Sequence, residues 1–254
     1  MENKFPILEF DSSLTAILEP RLAPLAEPCP EKAVLCFFQE IIGELAGSGQ
    51  IRQIGSLGSE IGPNPLYELA WEGQNLLLFH PGVGAPLAAG FLEEAIGLGA
   101  NKFIACGGCG VLDREIAAGH PVILTSAVRD EGTSYHYLPP EREVAASPRA
   151  VQALETAFQR HAVDYRLGKS WTTDGLYRET VQRRALRMAE GCEVVEMEAS
   201  AFFAVAQFRG VEFGQVVYGG DLVHPEGWDF RGWHTRGDDR HLIFWMAVEA
   251  CGLL

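Results

Sequence analysis

The segment Val194-Val195-Glu196-Met197-Glu198-Ala199-Ser200 sets two carboxylates around one methionine where an apolar strand ends and a helix begins. A third acid, Asp221, follows the apolar run Val216-Val217-Tyr218 and the pair Gly219-Gly220. Open α/β sheets keep their ligands at such strand ends. At a helix start the helix dipole keeps Glu198 ionised, and an ionised carboxylate accepts both protons of a vicinal diol. Glutamate also favours first turns for structural reasons alone, Glu196 also reads as a solvated strand-end charge, and Met197 as core packing. Two glycines leave the backbone before Asp221 open to close approach. A partly buried Asp there would hold a proton for a leaving group, and a turn-forming Asp is the plain alternative.

Three further patterns carry chemistry. Gly82-Val83-Gly84-Ala85-Pro86 precedes a helix, whose free N–H groups suit an anion, but it is neither a full dinucleotide fingerprint nor a Walker loop. Cys106-Gly107-Gly108-Cys109 is a CxxC without a second pair, so a zinc site lacks half its ligands, and a redox dithiol competes with simple burial. The histidines form no HxxxH-type pair, and no metal site is expected.

The elements that must hold these residues alternate. Helices are expected at Glu31–Ala46, Leu87–Leu98, Pro148–His161, Glu179–Glu190, Ala199–Arg209 and Arg240–Cys251. Strands are expected at Leu66–Trp71, Asn75–Phe79, Lys102–Cys106, Pro121–Val128, Tyr165–Trp171, Glu193–Val195 and Val211–Tyr218. This alternation predicts a three-layer α/β/α fold in one domain over 1–254. Hydrophobic residues make up 47% and charged residues 21%, enough apolar side chains for a large core. A net charge of −14 argues against nucleic acid or an anionic membrane as partner, and the basic residues are mostly scattered Arg. No stretch has the length and apolarity of a membrane span, no leader is expected, and six dispersed Cys fit a reducing cytoplasm.

Taken in order, the motifs resemble the nucleoside phosphorylase family, which includes uridine phosphorylase, hexameric purine nucleoside phosphorylase and related nucleosidases. The resemblance covers about residues 66–222. Gly82–Pro86 with Leu92-Glu93-Glu94 is similar to that family's glycine loop and helix, and Phe103–Gly110 to its strand-to-glycine turn. Ala127–Tyr137 is similar to a stretch of uridine phosphorylases, Thr172–Tyr177 to the segment lining base and sugar, and Glu196-Met197-Glu198 to the ribose-binding signature. The resemblance implies a mixed central sheet and a homo-oligomer, dimer or hexamer. It implies cleavage of a nucleoside's N-glycosidic bond by inorganic phosphate, giving free base and ribose 1-phosphate without metal or organic cofactor. It implies a general acid at Asp221, substrate contacts from Glu196, Met197, Glu198, Tyr177, Thr173, Gly107 and Gly108, and Gly84 on phosphate.

The phosphate end departs from the pattern. Ala105 and Gly108 stand where the family's phosphorylases usually carry Arg and Ser or Thr, and Ile17-Leu18-Glu19-Pro20-Arg21 stands where they carry a Gly-Asp-Pro loop. Arg21, Arg52 and Arg129 are the candidate substitutes. A nucleosidase using water, a nucleoside-binding relative without turnover, and a dithiol protein using Cys106 and Cys109 therefore stay open. So does the base: the Arg129–Tyr137 stretch points to a pyrimidine and Asp221 to a purine.

Overall fold

Four consecutive residues, Ala33, Val34, Leu35 and Cys36, have no exposed surface at all, which only an element covered on both faces provides. They belong to β1 (Lys32–Cys36), a central strand lying parallel to β4 (Gln74–Phe79) on one side and β5 (Lys102–Val111) on the other. The computed structural model describes residues 3–20 and 25–254. Its eleven strands form one mixed sheet. The outer half runs from β1 through β4 and β3 (Gly62–Trp71) to the edge strand β2 (Ile51–Ser59).

The inner half curls on itself. Strand β5 pairs in parallel with β10 (Glu212–His224) and, at its far end, antiparallel with β9 (Cys192–Glu196). From β9 the order continues through β8 (Arg166–Thr173) and β6 (Pro121–Asp130) back to β10, closing a ring of five strands. The short strands β7 (Glu143–Ala145) and β11 (Gly227–Asp229) pair with β6 and β10.

Helices cover both faces, as three layers require. Helices α2 (Ala85–Leu98) and α5 (Ala199–Arg209) cover one face, where Phe213 of β10 stacks on Phe202 with ring centroids 4.7 Å apart. Helices α1 (Gln39–Gly47), α3 (Pro148–Arg160) and α6 (Gly237–Leu253) cover the other. The guanidinium of Arg187, from α4 (Val181–Ala189), lies over the ring of buried Trp171. No described helix is long and apolar enough to cross a membrane.

Helix α5 spans the residues expected, and the strand-to-helix alternation holds along most of the chain. The helix expected over Glu31–Ala46 is instead a strand and a shorter helix. Leu35, Phe38, Ile42 and Leu45 have helical spacing, but Leu35 lies in β1, Phe38 caps α1 from just before it, and only Ile42 and Leu45 line its inner side. Strand β5 does not stop at Cys106. Its glycines continue it where side chains would collide: a Cβ on Gly110 would lie 2.9 Å from Val195 Cγ1, and one on Gly108 3.2 Å from the Tyr218 ring. Strand β10 likewise runs on past Tyr218. Strand β2 was not expected, because an edge strand with most residues exposed shows little hydrophobic pattern. Helix α4 begins two residues late, since Thr180 Oγ1 accepts the Arg183 N–H at 3.3 Å and caps it, which leaves Glu179 outside the helix.

Phe213 joins β10 to the α5 layer with no exposed surface. Phe213→Ala is expected to destabilise the fold by about 3–5 kcal/mol, read as a lower urea midpoint at unchanged slope.

Candidate active site

A cavity of about 330 Å³ opens where β9 ends against the glycine-rich stretches of β5 and β10. That size lies within the range of small-ligand sites. Its walls include Phe37 and Phe38 beyond β1, Val83 of the glycine loop, Met197 and Glu198 before α5, and Asp221 of β10. A Cβ on Gly220 would lie 2.9 Å from the Cys109 carbonyl, so the backbone before Asp221 has no space for a side chain.

Glu196 ends β9, and its carboxylate is full. Oε1 accepts from Ser170 Oγ at 2.8 Å and Thr172 Oγ1 at 2.6 Å, and Oε2 accepts the N–H groups of Glu198 and Ala199 at 2.6 Å each. These two N–H groups open α5 and have no intrahelical partner, so Glu196 ties β8, β9 and α5 together. Burial holds its pKa above the ordinary carboxylate value, and the four hydrogen bonds pull it back only in part. The solvated-charge alternative does not hold: Glu196 lines the cavity floor as a brace with little capacity left.

Glu198 stands at the start of α5, as expected, but is not the ionised group the dipole argument predicts. Burial, followed by the charge of Glu196, pushes its pKa up to about 8, against the pull of the Gly84 and Met197 N–H groups. Oε1 accepts the Gly84 N–H at 2.6 Å. In a site this buried, desolvation outweighs a half-charge of helix dipole. At neutral pH Glu198 is thus a neutral carboxyl that donates one hydrogen bond and accepts another, which still suits two adjacent hydroxyls. Gly82 and Gly84 have φ of 80° and 87°, the left-handed region that favours glycine, and this bend aims the Gly84 N–H at Glu198.

The opposite wall carries a second acid pair. Asp221 Oδ2 accepts the indole N–H of Trp228, on β11, at 2.6 Å. Glu179 lines the same cavity, and its carboxyl makes no hydrogen bond among the described residues. Burial, then the charge of Asp221, pushes the Glu179 pKa up to about 7. Sequence reasoning missed Glu179 by counting it into a helix; Thr180 as the capping residue was the available signal. Gln215 was missed as well. It lies opposite Ala105, is 1% exposed, lines the cavity, and its Oε1 has no partner among the described residues. Arg240, the one cation among the described lining residues, pairs with Glu40 at 2.9 Å and lies over the Phe38 ring.

Other expected site residues lie elsewhere. Tyr177 is 94% exposed and outside the lining, because the turn Leu176–Arg178 directs Leu176 to the cavity instead. Thr173 is buried and closes that turn by accepting the Gly175 N–H, and its neighbour Thr172 supports Glu196. Gly107 packs beneath Phe37, while Gly108 does line the cavity. Gly84 spends its N–H on Glu198 and is not left to bind an anion. Arg52 is exposed on β2, paired with Glu27 and Glu68. Arg129 is buried by Ser134, Leu138 and Pro139, where it holds its own loop. Arg21 lies outside the described residues. Cys106 and Cys109 face opposite layers of the fold on one strand, both buried with thiol pKa values pushed well up, which removes the dithiol reading.

A family model described as the phosphorylase superfamily matches residues 33–237. The chain is 29% identical over 155 residues to the guanosine phosphorylase of Halorubrum lacusprofundi, a match covering 61% of this chain and 64% of that protein. It is 32% identical over 186 residues to the uridine phosphorylase of Treponema pallidum, covering 68% and 70%. Among solved structures it is similar to a purine nucleoside phosphorylase from Toxoplasma gondii in complex with immucillin-H, with a TM-score of 0.76, 21% identity, and 88% and 91% of the two chains covered. An AMP nucleosidase from Bacteroides thetaiotaomicron gives a TM-score of 0.70 at 21% identity, with 89% and 88% covered.

Between about pH 4.5 and 8 the folded chain keeps a proton on Glu198 that the unfolded chain has released, so this group's contribution to stability falls as pH rises through that window. Glu198→Gln is expected to shrink the drop in melting temperature between pH 5 and pH 8; a drop as large as wild type would contradict the assignment.

Proposed function

The chain belongs to the phosphorylase superfamily, and from that premise we propose that it cleaves the N-glycosidic bond of a nucleoside, passing the ribosyl group to inorganic phosphate and releasing the free base. The observation that carries this reading is Glu198: a buried carboxyl locked by the Gly84 N–H, beside Met197, at one end of a nucleoside-sized cavity whose other end bears acids. Breaking the bond puts positive charge on the sugar and negative charge on the base. A carboxyl at the hydroxyls and Met197 against the sugar ring hold the first fragment. A proton from the acid end, where Asp221 lies, stabilises the second. The guanosine and uridine phosphorylases among the relatives support phosphate as the acceptor.

One observation favours a second reading, hydrolysis by water. The cavity is lined by four carboxyl groups, and the one cation among its described lining residues, Arg240, is already paired with Glu40, a poor setting for a phosphate dianion even with Glu198 protonated. Ala105 and Gly108 supply no side-chain donor. Base release from guanosine, inosine and uridine, measured with and without phosphate, separates the two. Phosphorolysis requires release to rise with phosphate and ribose 1-phosphate to accumulate, whereas full release in phosphate-free buffer would assign water.

The same proposal includes a homo-oligomer, dimer or hexamer, in the cytoplasm, working without metal or organic cofactor. Exposed Leu176, Tyr177 and Val181, grouped near the cavity, support a partner copy, and light scattering would read its size.

Glu198→Gln keeps the volume but loses the carboxyl, and is expected to raise KM for the nucleoside by about tenfold, on the order of one neutral hydrogen bond. Asp221→Asn is expected to lower kcat by about 10²-fold with a smaller change in KM. Wild-type kcat in Asp221→Asn would remove Asp221 from the chemistry.

A further inference from the structure

The acid end of the cavity holds two carboxyl groups in different states. Asp221 acts as an acceptor, with Oδ2 taken by the Trp228 indole N–H. Glu179 has no hydrogen-bond partner among the described residues, although it is partly buried in the cavity wall. It sits just before the Thr180 cap, outside α4. Two carboxylates facing one low-dielectric space do not both ionise readily, and the member lacking hydrogen bonds keeps the proton. The other ionisable groups lining this space are Glu196, Glu198, Cys109, Tyr218 and Arg240. Two of these carry further carboxyls, and Arg240 is engaged by Glu40.

Resting on the nucleoside-cleaving reading, we propose that Glu179 is the catalytic acid of this cavity, that Asp221 holds the proton on it, and that the leaving group is a base that departs protonated on a ring nitrogen, as a purine does. The C1′–N bond breaks with its electron pair going to the base. The carboxyl proton of Glu179 passes to the ring nitrogen, and the base leaves neutral. An oxygen of hydrogen phosphate forms the new C1′–O bond, and the proton it releases to solvent restores the acid form of Glu179. The direction of titration agrees: burial and the charge of Asp221 place Glu179 at about 7, so its acid form is lost as pH rises through neutrality.

The test is kcat/KM against pH for guanosine and for 7-methylguanosine, whose base departs without accepting a proton, using wild type, Glu179→Gln and Asp221→Asn. For guanosine, wild type should lose activity above about pH 7, and Asp221→Asn should move that limb to lower pH, since removing a neighbouring negative charge lets Glu179 ionise sooner. Glu179→Gln should abolish the limb and cost about 10²–10³-fold on guanosine, but under about tenfold on 7-methylguanosine. An unchanged limb in Glu179→Gln, or equal losses on both substrates, would overturn the acid role. Glu179→Gln retaining cleavage of 7-methylguanosine also shows that the variant folds. A wild-type protein that cleaves neither nucleoside, nor uridine, would overturn the nucleoside reading and this inference with it.

Discussion

The site is organised around a buried carboxylate whose hydrogen bonding is complete. Glu196 accepts two hydroxyl groups from β8 and two backbone N–H groups from the start of α5, so one side chain fixes the distance between a sheet edge and a helix end. Removing a charge from water is costly unless each lone pair finds a donor, and here four do. The charge is then felt by its neighbour two residues on. Glu198 is pushed up to about 8 by burial and by Glu196, so the brace also sets the protonation state of the carboxyl facing the cavity.

Crowding gives the cavity its place. Strands β5, β9 and β10 converge so closely that Gly108, Gly110, Gly219 and Gly220 have no room for a Cβ without displacing a neighbour. The same absence of side chains that permits the convergence leaves the concave space behind it. The closed ring of five strands and the open sheet beyond β1 meet at β5, and the cavity lies along that seam.

Much of this was legible in the residues. The apolar run before Glu196 and the helix Ala199–Arg209, stopped by Gly210, are written in burial pattern and capping, and the Glu-Met-Glu element led to the cavity. The reading failed where one pattern served two elements, as when Leu35 of β1 happened to continue the spacing of α1. It also failed where function depends on burial. Nothing local in the chain states that Glu198 is desolvated, that Gln215 faces the cavity unpaired, or that the Trp228 indole reaches back seven residues to Asp221. Of the arginines expected at the phosphate end, Arg52 is a surface counter-ion and Arg129 a loop brace, a distinction that only their partners reveal.

The two ends of the cavity differ in how they are mounted. Glu198 hangs from the interior, braced by Glu196 and by a glycine loop 114 residues away in the chain. Asp221 is met by Trp228, which is 62% exposed on a short hairpin and whose ring lies against Phe230 in a surface chain of aromatics. The cavity thus has a stiff floor and a compliant rim. A fragment seated on the floor must fit a fixed mould, whereas one beneath the rim meets a wall that adjusts to its outline, so variety among accepted ligands belongs at the Trp228 end.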